Sequence, residues 1–505
     1  MIKDLFRTKS LDALIASGDA AEHKLKRVLG PIDLIALGIG AIIGSGIFAT
    51  VGTAVAGDAA RPGAGPAIVI SFLLTAIACG FCGLCYAEFA SLVPISGSAY
   101  TYAYATLGEL VAWIIGWDLI IEYAVGNSAV AIAWAAYFHQ LMSGIGLHIP
   151  AWLAVDFRSA GQAAATVAAA GGSIDPPIAL FYEAWQTHPT LLGVPIIFNA
   201  LAAAIVLAVT WLLVIGVKES AIANNIMVGV KLVIIVFFVV FGIFYVKPEN
   251  WSPFAPNGFA GIWVGASLIF YAYIGFDAIS TAAEECKNPG RDMPIGIIGS
   301  LLICTVIYVV VALVLTGMVP ADKLGVADPL AAAFAYVGAG LSAGVVSFGA
   351  IIALTAVLLV FQYGQPRIFF SMSRDGLLPP IFSRVHPKYR TPHVTTIWTG
   401  VVVAAISGFA NINEIVELTN IGTLFAFVLV CIGVIVLRRR DPQRPRKFKT
   451  PFVPWVPLAG IGCCIYLMAG LPVVTWIRFG IWLVIGAVIY IFYSQRKSRL
   501  NTSAR

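Results

Sequence analysis

The chain has 505 residues, of which 60% are hydrophobic and only 11% are charged, and its mean hydropathy is +0.92. This composition excludes an ordinary soluble globular protein, in which about a quarter of the residues are charged, and it is typical of a protein that crosses a membrane many times. The formal net charge of +6 requires no acidic partner beyond anionic lipid headgroups, so it does not indicate nucleic-acid binding.

A polar segment, residues 1–32, precedes the first apolar stretch. It contains six Lys and Arg residues and lacks a short apolar core followed by a small-residue cleavage site. We therefore expect no cleaved signal peptide, a cytoplasmic N-terminal segment at 1–32, and a first membrane span that begins at Asp33.

Twelve apolar stretches are long enough to cross about 30 Å of hydrocarbon, which takes roughly 20 helical residues. They lie near 33–56, 67–92, 106–138, 194–215, 221–246, 259–284, 295–318, 341–372, 394–409, 415–437, 454–472 and 475–494. The sequence therefore predicts an all-α polytopic membrane protein with twelve transmembrane helices.

Lys and Arg residues are unevenly distributed over the connections between these spans. If residue 1 is cytoplasmic and the chain alternates, 25 of them lie on the cytoplasmic side, five lie outside, and one, Lys231, lies within a span. Positive residues concentrate on the cytoplasmic side of membrane proteins. The distribution predicts a multi-pass protein of the cell membrane with both termini, including the tail 495–505, in the cytoplasm.

The eight cysteines lie in or beside apolar spans, and Cys79, Cys82 and Cys85 recur every three residues on one predicted helix. None of the six histidines pairs with a Ser, Cys or Asp in a recognisable catalytic spacing. We interpret the cysteines as buried packing residues and expect neither an enzyme, nor a metal site, nor a bound cofactor.

The longest polar connection, 139–193, is external by the charge distribution. It includes an Ala/Gly-rich tract at 160–172, which is typical of a mobile or poorly specified insertion with at most a short helix. We assign it no chemistry.

Two of the predicted spans contain residues that interrupt a helix. The first contains Gly38-Ile-Gly-Ala-Ile-Ile-Gly-Ser-Gly-Ile-Phe48, and the sixth contains Phe270-Tyr-Ala-Tyr-Ile-Gly-Phe-Asp277. Irregular backbone at membrane depth is tolerated only where it is buried in protein or lines a cavity, and N–H groups freed at a helix start bind anions. Close helix packing through Gly40 and Gly44 is the alternative for the first stretch.

If spans one to five and six to ten are two repeats, both breaks fall in the first helix of their repeat. An odd number of spans per repeat makes the two repeats, 33–246 and 247–437, opposite in orientation. Paired broken helices around a central site are typical of secondary transporters.

Seven stretches carry a resemblance to a known family, namely Gly38 to Phe48, Tyr86 to Ala90, Pro94 to Tyr100, Gly216 to Ser220, Gly275 to Pro289, Ser373 to Leu377 and Glu417 to Gly422. In these stretches the chain resembles the amino acid/polyamine/organocation transporters, and within them the branch of cationic amino acid transporters and their bacterial homologues. The resemblance implies a ten-helix inverted-repeat core, two further helices within 438–494 after a basic cytoplasmic loop, and uptake of an amino acid.

The resemblance also implies a substrate site at the two breaks. The substrate carboxylate would bind backbone N–H groups around Ser45, Gly46 and Ile47, with the Ser45 hydroxyl as a further donor. The substrate amino group would bind carbonyls freed at the residues Ile42, Tyr271, Ala272 and Ile274. The side chains of Tyr271 and Ile274 would contact the substrate side chain.

Lys218 is the residue that the resemblance marks for proton coupling. It opens the fifth span, where the family places a lysine against the unwound part of the first helix. A lysine removed from water there could release and rebind a proton. The alternative is a lysine that sets topology and extends to the headgroups.

Glu122, in the third span, is a functional candidate because intramembrane carboxylates seldom lack a role. It would complete a proton path or reach the substrate site, with a structural hydrogen-bond acceptor as the alternative. Asp277 is expected instead to form a gate or structural pair with basic residues such as Lys287 and Arg291. Sodium coupling is disfavoured, because the eighth span offers a single hydroxyl in 353–356 where sodium-coupled relatives often have two adjacent ones.

The sequence thus predicts a secondary active transporter that imports an L-amino acid by alternating access, with protons as the coupling ion. The alternatives are a carrier of cationic amino acids (Lys or Arg) or an amino acid exchanger, while sodium coupling and a channel are disfavoured. The expected partners are the L-amino acid, H⁺ and membrane lipids. A small membrane-protein partner or an oligomer is not readable from the sequence.

Overall fold

A computed structural model describes the residues 7–9, 29–58, 61–93, 98–170, 172, 174, 178–215, 221–389 and 391–499. The α-helices are α1 (Pro31–Ile42), α2 (Val51–Ala56), α3 (Ile68–Leu92), α4 (Ser98–Thr106), α5 (Glu109–Ile120), α6 (Gly126–Gly144), α7 (Phe157–Ala169), α8 (Ala179–Thr187), α9 (Ala200–Ile215), α10 (Ala221–Gly242), α11 (Gly258–Ile269), α12 (Pro289–Met318), α13 (Pro329–Tyr336), α14 (Gly340–Arg374), α15 (His393–Phe409), α16 (Ile412–Arg440), α17 (Trp455–Ala469), α18 (Val473–Ile489) and α19 (Gln495–Lys497).

Shorter elements connect these helices. The π-helical turns are Gly46–Thr50, Ile121–Val125 and Tyr490–Ser494; the 3₁₀ turns are Gly65–Ala67, Ala151–Leu153, Ile243–Tyr245, Pro248–Trp251, Phe270–Tyr273, Asp277–Glu285, Ala321–Lys323 and Pro380–Ser383. Two antiparallel hairpins pair β1 (Gly57–Asp58) with β2 (Arg61–Pro62), and β3 (Thr190–Leu191) with β4 (Val194–Pro195).

The described part of the chain contains eight helical segments that are long and apolar enough to span a membrane, or nine if the bent pair α1–α2 is counted as one span. Three shorter apolar helices, α9, α15 and α17, lie at further predicted spans. The protein is therefore a mostly helical, multi-pass membrane protein, while the count of twelve spans stays a prediction.

The first predicted break is present. Helix α1 ends at Ile42, Ile43 has an extended backbone (φ −75°, ψ 102°), and helical structure resumes at Gly46 with a bend of 41°. The second predicted break is present as well. Helix α11 passes into a 3₁₀ turn, Ile274 is extended, and Gly275 adopts φ +117°. Glycine is required at 275, because L side chains rarely adopt this backbone and a Cβ there would lie 2.8 Å from the carbonyl oxygen of Ala41.

Buried ion pairs lie at both ends of the helical bundle. At one end, Glu88 of α3 is 1% exposed and accepts a hydrogen bond of 2.7 Å from Arg438 at the end of α16. At the other end, Arg61 of the β1–β2 hairpin pairs with Glu417 of α16, which also accepts a hydrogen bond from Thr475. Polar contacts thus hold α16 to its neighbours on both sides of the core, because a buried charge must be paired.

The described part of the connection between α6 and α9 contains more helix and hairpin structure than the short helix expected from its Ala/Gly-rich tract. It contains α7, α8 and the β3–β4 hairpin, and Ala160 and Ala184 are fully buried in a small separate core with Trp152 and Trp185. This core forms because α7 and α8 can approach closely where their side chains are as small as alanine. Seven of the eight cysteines are also buried, as predicted for packing residues.

Candidate functional site

A small cavity lies between the two broken helices. It is lined by Ala41, Ile42, Gly44, Ser45, Gly46, Glu122, Gly126, Val130, Tyr271, Ile274, Val357 and Phe361. Six predicted site residues belong to this wall, namely Ile42, Ser45, Gly46, Glu122, Tyr271 and Ile274. The other two described candidates, Ile47 and Ala272, are fully buried and outside it.

The first break places a helix start at the cavity. Because a helix begins at Gly46, the first N–H groups of that helix have no partner within it. The Ser45 hydroxyl lies 3.2 Å from the Tyr271 hydroxyl, which donates to the Gly126 carbonyl at 2.8 Å. This chain of polar groups joins the first broken helix, the second broken helix and α6. The arrangement can bind an anionic group at the helix start.

The carbonyl groups freed at the breaks are held by Tyr308 of α12. Its hydroxyl lies 2.9 Å from the Ile42 oxygen and 2.7 Å from the Ala272 oxygen, and the side chain is fully buried. A hydroxyl has one proton, so it cannot donate fully to both carbonyls at once. At least one of these oxygens therefore retains capacity for another donor, such as an ammonium group.

Lys231 of α10 contacts the first break. Its ammonium group donates to the Gly40 and Ile43 oxygens at 2.7 Å each, and the side chain is fully buried. Lys218, the lysine singled out from the sequence, lies outside the described residues. The signal that could have identified Lys231 was its charge within a predicted span, because intramembrane ionisable residues are usually functional.

Two carboxyl groups are buried near the breaks, one in the wall of the cavity and one just after the second break. Glu122 lies in the π-helical turn between α5 and α6, a type of turn that is frequent at functional sites. Asp277 follows the second break, and Glu122 and Asp277 are 3% and 0% exposed. Among the described residues, one carboxyl oxygen of Glu122 and both of Asp277 have no hydrogen-bond partner. Asp277 was expected to pair with basic residues, and it forms no such hydrogen bond with the described residues. Buried polar atoms without a partner are uncommon in proteins and call for an explanation such as a functional role.

Apolar side chains that the sequence did not single out complete the wall. Val130 comes from α6, and Val357 and Phe361 come from one face of α14. Residues four positions apart share a face of a helix, but only the packing of α14 against the breaks shows which face meets the cavity. These side chains give part of the site an apolar lining.

Comparison with known proteins is consistent with this geometry. The family model described as amino acid permease matches residues 29–493. The methylthioribose transporter of Bacillus subtilis (strain 168) is 46% identical over 500 residues, which cover 99% of this chain and all of the relative. The branched-chain amino acid permease BcaP of the same organism is also 46% identical, over 98% of this chain and 99% of its own length.

A more distant relative comes from a plant. The vacuolar cationic amino acid transporter 4 of Arabidopsis thaliana is 31% identical over 99% of this chain and 97% of its own length. All three relatives carry the names of transporters or permeases, none the name of an enzyme, as the sequence predicted. The match of the family model over most of the chain, together with these relatives, shows that this chain belongs to the amino acid permease family.

Proposed function

We propose that this protein imports a neutral L-amino acid across the cell membrane by alternating access, driven by protons. In this proposal both termini are cytoplasmic, and twelve helices form a core of two inverted five-helix repeats with two further helices. The N-terminal segment 1–32, the basic loop and helices in 438–494, and the tail 495–505 flank that core. The observation that supports it most directly is the contact of the Lys231 ammonium group with the first break.

The Lys231 contact connects protonation to helix conformation. Away from water, a charged ammonium group requires hydrogen-bond acceptors, and here the Gly40 and Ile43 oxygens supply them. Those oxygens are free only because α1 ends at Ile42. A conformational change that turns them away would destabilise the charged lysine and favour loss of its proton. The charge would therefore stabilise one conformation of the first helix, and this is the property that a coupling residue needs.

Proton coupling at Lys231 and proton coupling at Lys218 are distinguished by one experiment. We expect Lys231→Ala in proteoliposomes to retain exchange of external for internal amino acid but to lose accumulation driven by a pH gradient. Lys231→Arg should fail in the same way, because arginine does not release its proton. Lys218→Ala is the comparison. If it alone abolishes accumulation, the proton is carried at the residue predicted from the sequence; if neither does, Glu122 is the next candidate.

The lining of the cavity supports a neutral substrate. A carboxylate would bind at the helix start near Ser45 and Gly46, an amino group at the Ile42 and Ala272 oxygens, and an apolar side chain against Val357 or Phe361. The relative named for branched-chain amino acids is consistent with this assignment. Among the described residues of the wall Glu122 is the one acidic side chain, and it is the basis of the alternative, a cationic substrate.

A second relative is named for methylthioribose, which has no carboxylate. In this chain, methylthioribose would form hydrogen bonds with the Ser45 and Tyr271 hydroxyls and would place no anion at the helix start. Competition for labelled valine by unlabelled alanine, isoleucine, arginine and methylthioribose distinguishes these substrates. We expect competition by alanine and isoleucine; binding of arginine or methylthioribose without binding of either neutral amino acid would refute the proposed substrate class.

A further inference from the structure

The turn of the β3–β4 hairpin contains a leucine, a residue that its backbone conformation does not favour. Leu192 and Gly193 form the two-residue turn and both have positive φ angles, +52° and +78°. Such turns favour Asn-Gly or Asp-Gly, and a left-handed backbone is unfavourable for a bulky side chain. The Leu192 side chain is also 97% exposed, so packing within the chain does not stabilise it.

The strands on either side of the turn extend this apolar surface. Leu191 and Val194 are directly paired across the hairpin and are each 63% exposed, so they share its open face. We call Leu191, Leu192 and Val194 the hairpin patch. The sequence contains no Asp, Glu, Lys or Arg from 184 to 217, so the patch is continuous with an uncharged stretch that includes all of α9.

The base of the hairpin is fixed at the membrane end of two apolar helices. Four residues separate β4 from α9. The Asn199 N–H donates to the Gly408 oxygen near the end of α15 at 3.0 Å. The Phe198 ring packs on Phe409 with a centroid distance of 4.8 Å. A two-residue strand and its turn extend about 7–10 Å at roughly 3.3 Å per residue, a length that matches the depth of interfacial membrane insertion.

We propose that the hairpin patch inserts into the lipid of the adjacent leaflet and anchors the α7–α8 insertion to the membrane surface. Lipid is the occupant that fits, because the patch carries no charge and adjoins a helix with exposed apolar side chains such as Leu207 and Trp211. An exposed apolar patch next to water would otherwise promote aggregation. The proposal depends on the chain being a membrane protein and not on its substrate or coupling ion.

A spin label tests this placement in the full-length protein. Leu192→Cys and, as the control, Gln162→Cys on an exposed position of α7 are labelled with a nitroxide and reconstituted in phosphatidylcholine liposomes. The unsubstituted protein gives the background from native cysteines. Accessibility to oxygen, which concentrates in lipid, is compared with accessibility to a water-soluble nickel chelate.

The expected result is an oxygen-to-nickel ratio several-fold higher at position 192 than at position 162. Equal ratios would place the turn in water and overturn the proposal. Protection of position 192 from both reagents would also overturn it, because a protein surface, from a second copy or another partner, would then cover the patch. Melting temperatures of the two labelled variants close to that of the unsubstituted protein would confirm that both are folded.

Discussion

Replacing Gly46 by alanine would separate the two broken helices where they are in contact. A Cβ atom at this position would lie 2.5 Å from the Cβ of Ala272 and 2.8 Å from its backbone nitrogen. Ordinary carbon contacts are about 3.5–4.0 Å, so the helices must move apart by roughly 1 Å. Because the obstacle includes backbone atoms, rotation of a side chain cannot relieve it.

The size of the effect follows from that displacement. Overpacking a close contact costs about 1–3 kcal/mol, and about 2.8 kcal/mol corresponds to a 100-fold change in affinity. A displacement of about 1 Å at a site that positions small molecules has a comparable cost. We therefore expect Gly46→Ala to weaken substrate binding by about 100-fold through the displaced helix start and carbonyl groups.

The assay is equilibrium binding of labelled substrate to purified protein, with the apparent melting temperature as the check on folding. Gly80→Ala is a matched control, because a Cβ at Gly80 in α3 meets nothing within 4 Å. That control should bind normally and be as stable as the unsubstituted protein or more so, since alanine favours a helix over glycine. A Gly46→Ala protein whose affinity stays within about 3-fold of the original, less than 1 kcal/mol, would refute the role of this contact.

Three further changes test separate parts of the structure. Phe361→Ala should enlarge the cavity, so that larger apolar amino acids compete better for uptake than before; an unchanged order of competitors would remove Phe361 from the substrate wall. Tyr308→Phe leaves the Ile42 and Ala272 carbonyls without their donor and should cost about 1–3 kcal/mol of stability, seen as a lower apparent melting temperature, whereas an unchanged value would show that water or a rearrangement replaces the hydroxyl. Burial raises the pKa of Asp328, in the connection before α13, to about 7, so its neutral form favours folding at low pH and this contribution is lost as pH rises towards and above 7. Asp328→Asn should therefore raise the apparent melting temperature at pH 8 and leave it nearly unchanged at pH 4; equal effects at both pH values would contradict this.

The sequence alone determined the local features of this protein. The apolar stretches predicted the eight or nine helical segments of the described residues that are long and apolar enough to span a membrane, because hydrocarbon excludes charged side chains over a fixed length of helix. The glycines at 44, 46 and 275 located the breaks, since backbone flexibility is a property of the residue itself. The cavity residues Ile42 and Tyr271 followed from those breaks and the family resemblance.

Contacts between distant parts of the chain were decided only by the tertiary structure. Lys231 meets the first break across 188 to 191 residues of sequence, and the Tyr308 hydroxyl joins one carbonyl from each of the two broken helices. Helices α7 and α8 form a small core because alanines too small to mark a core in the sequence are covered by Trp152 and Trp185. In each case the partner is chosen by how helices pack, and one sequence does not specify which face of a uniformly apolar helix meets its neighbour.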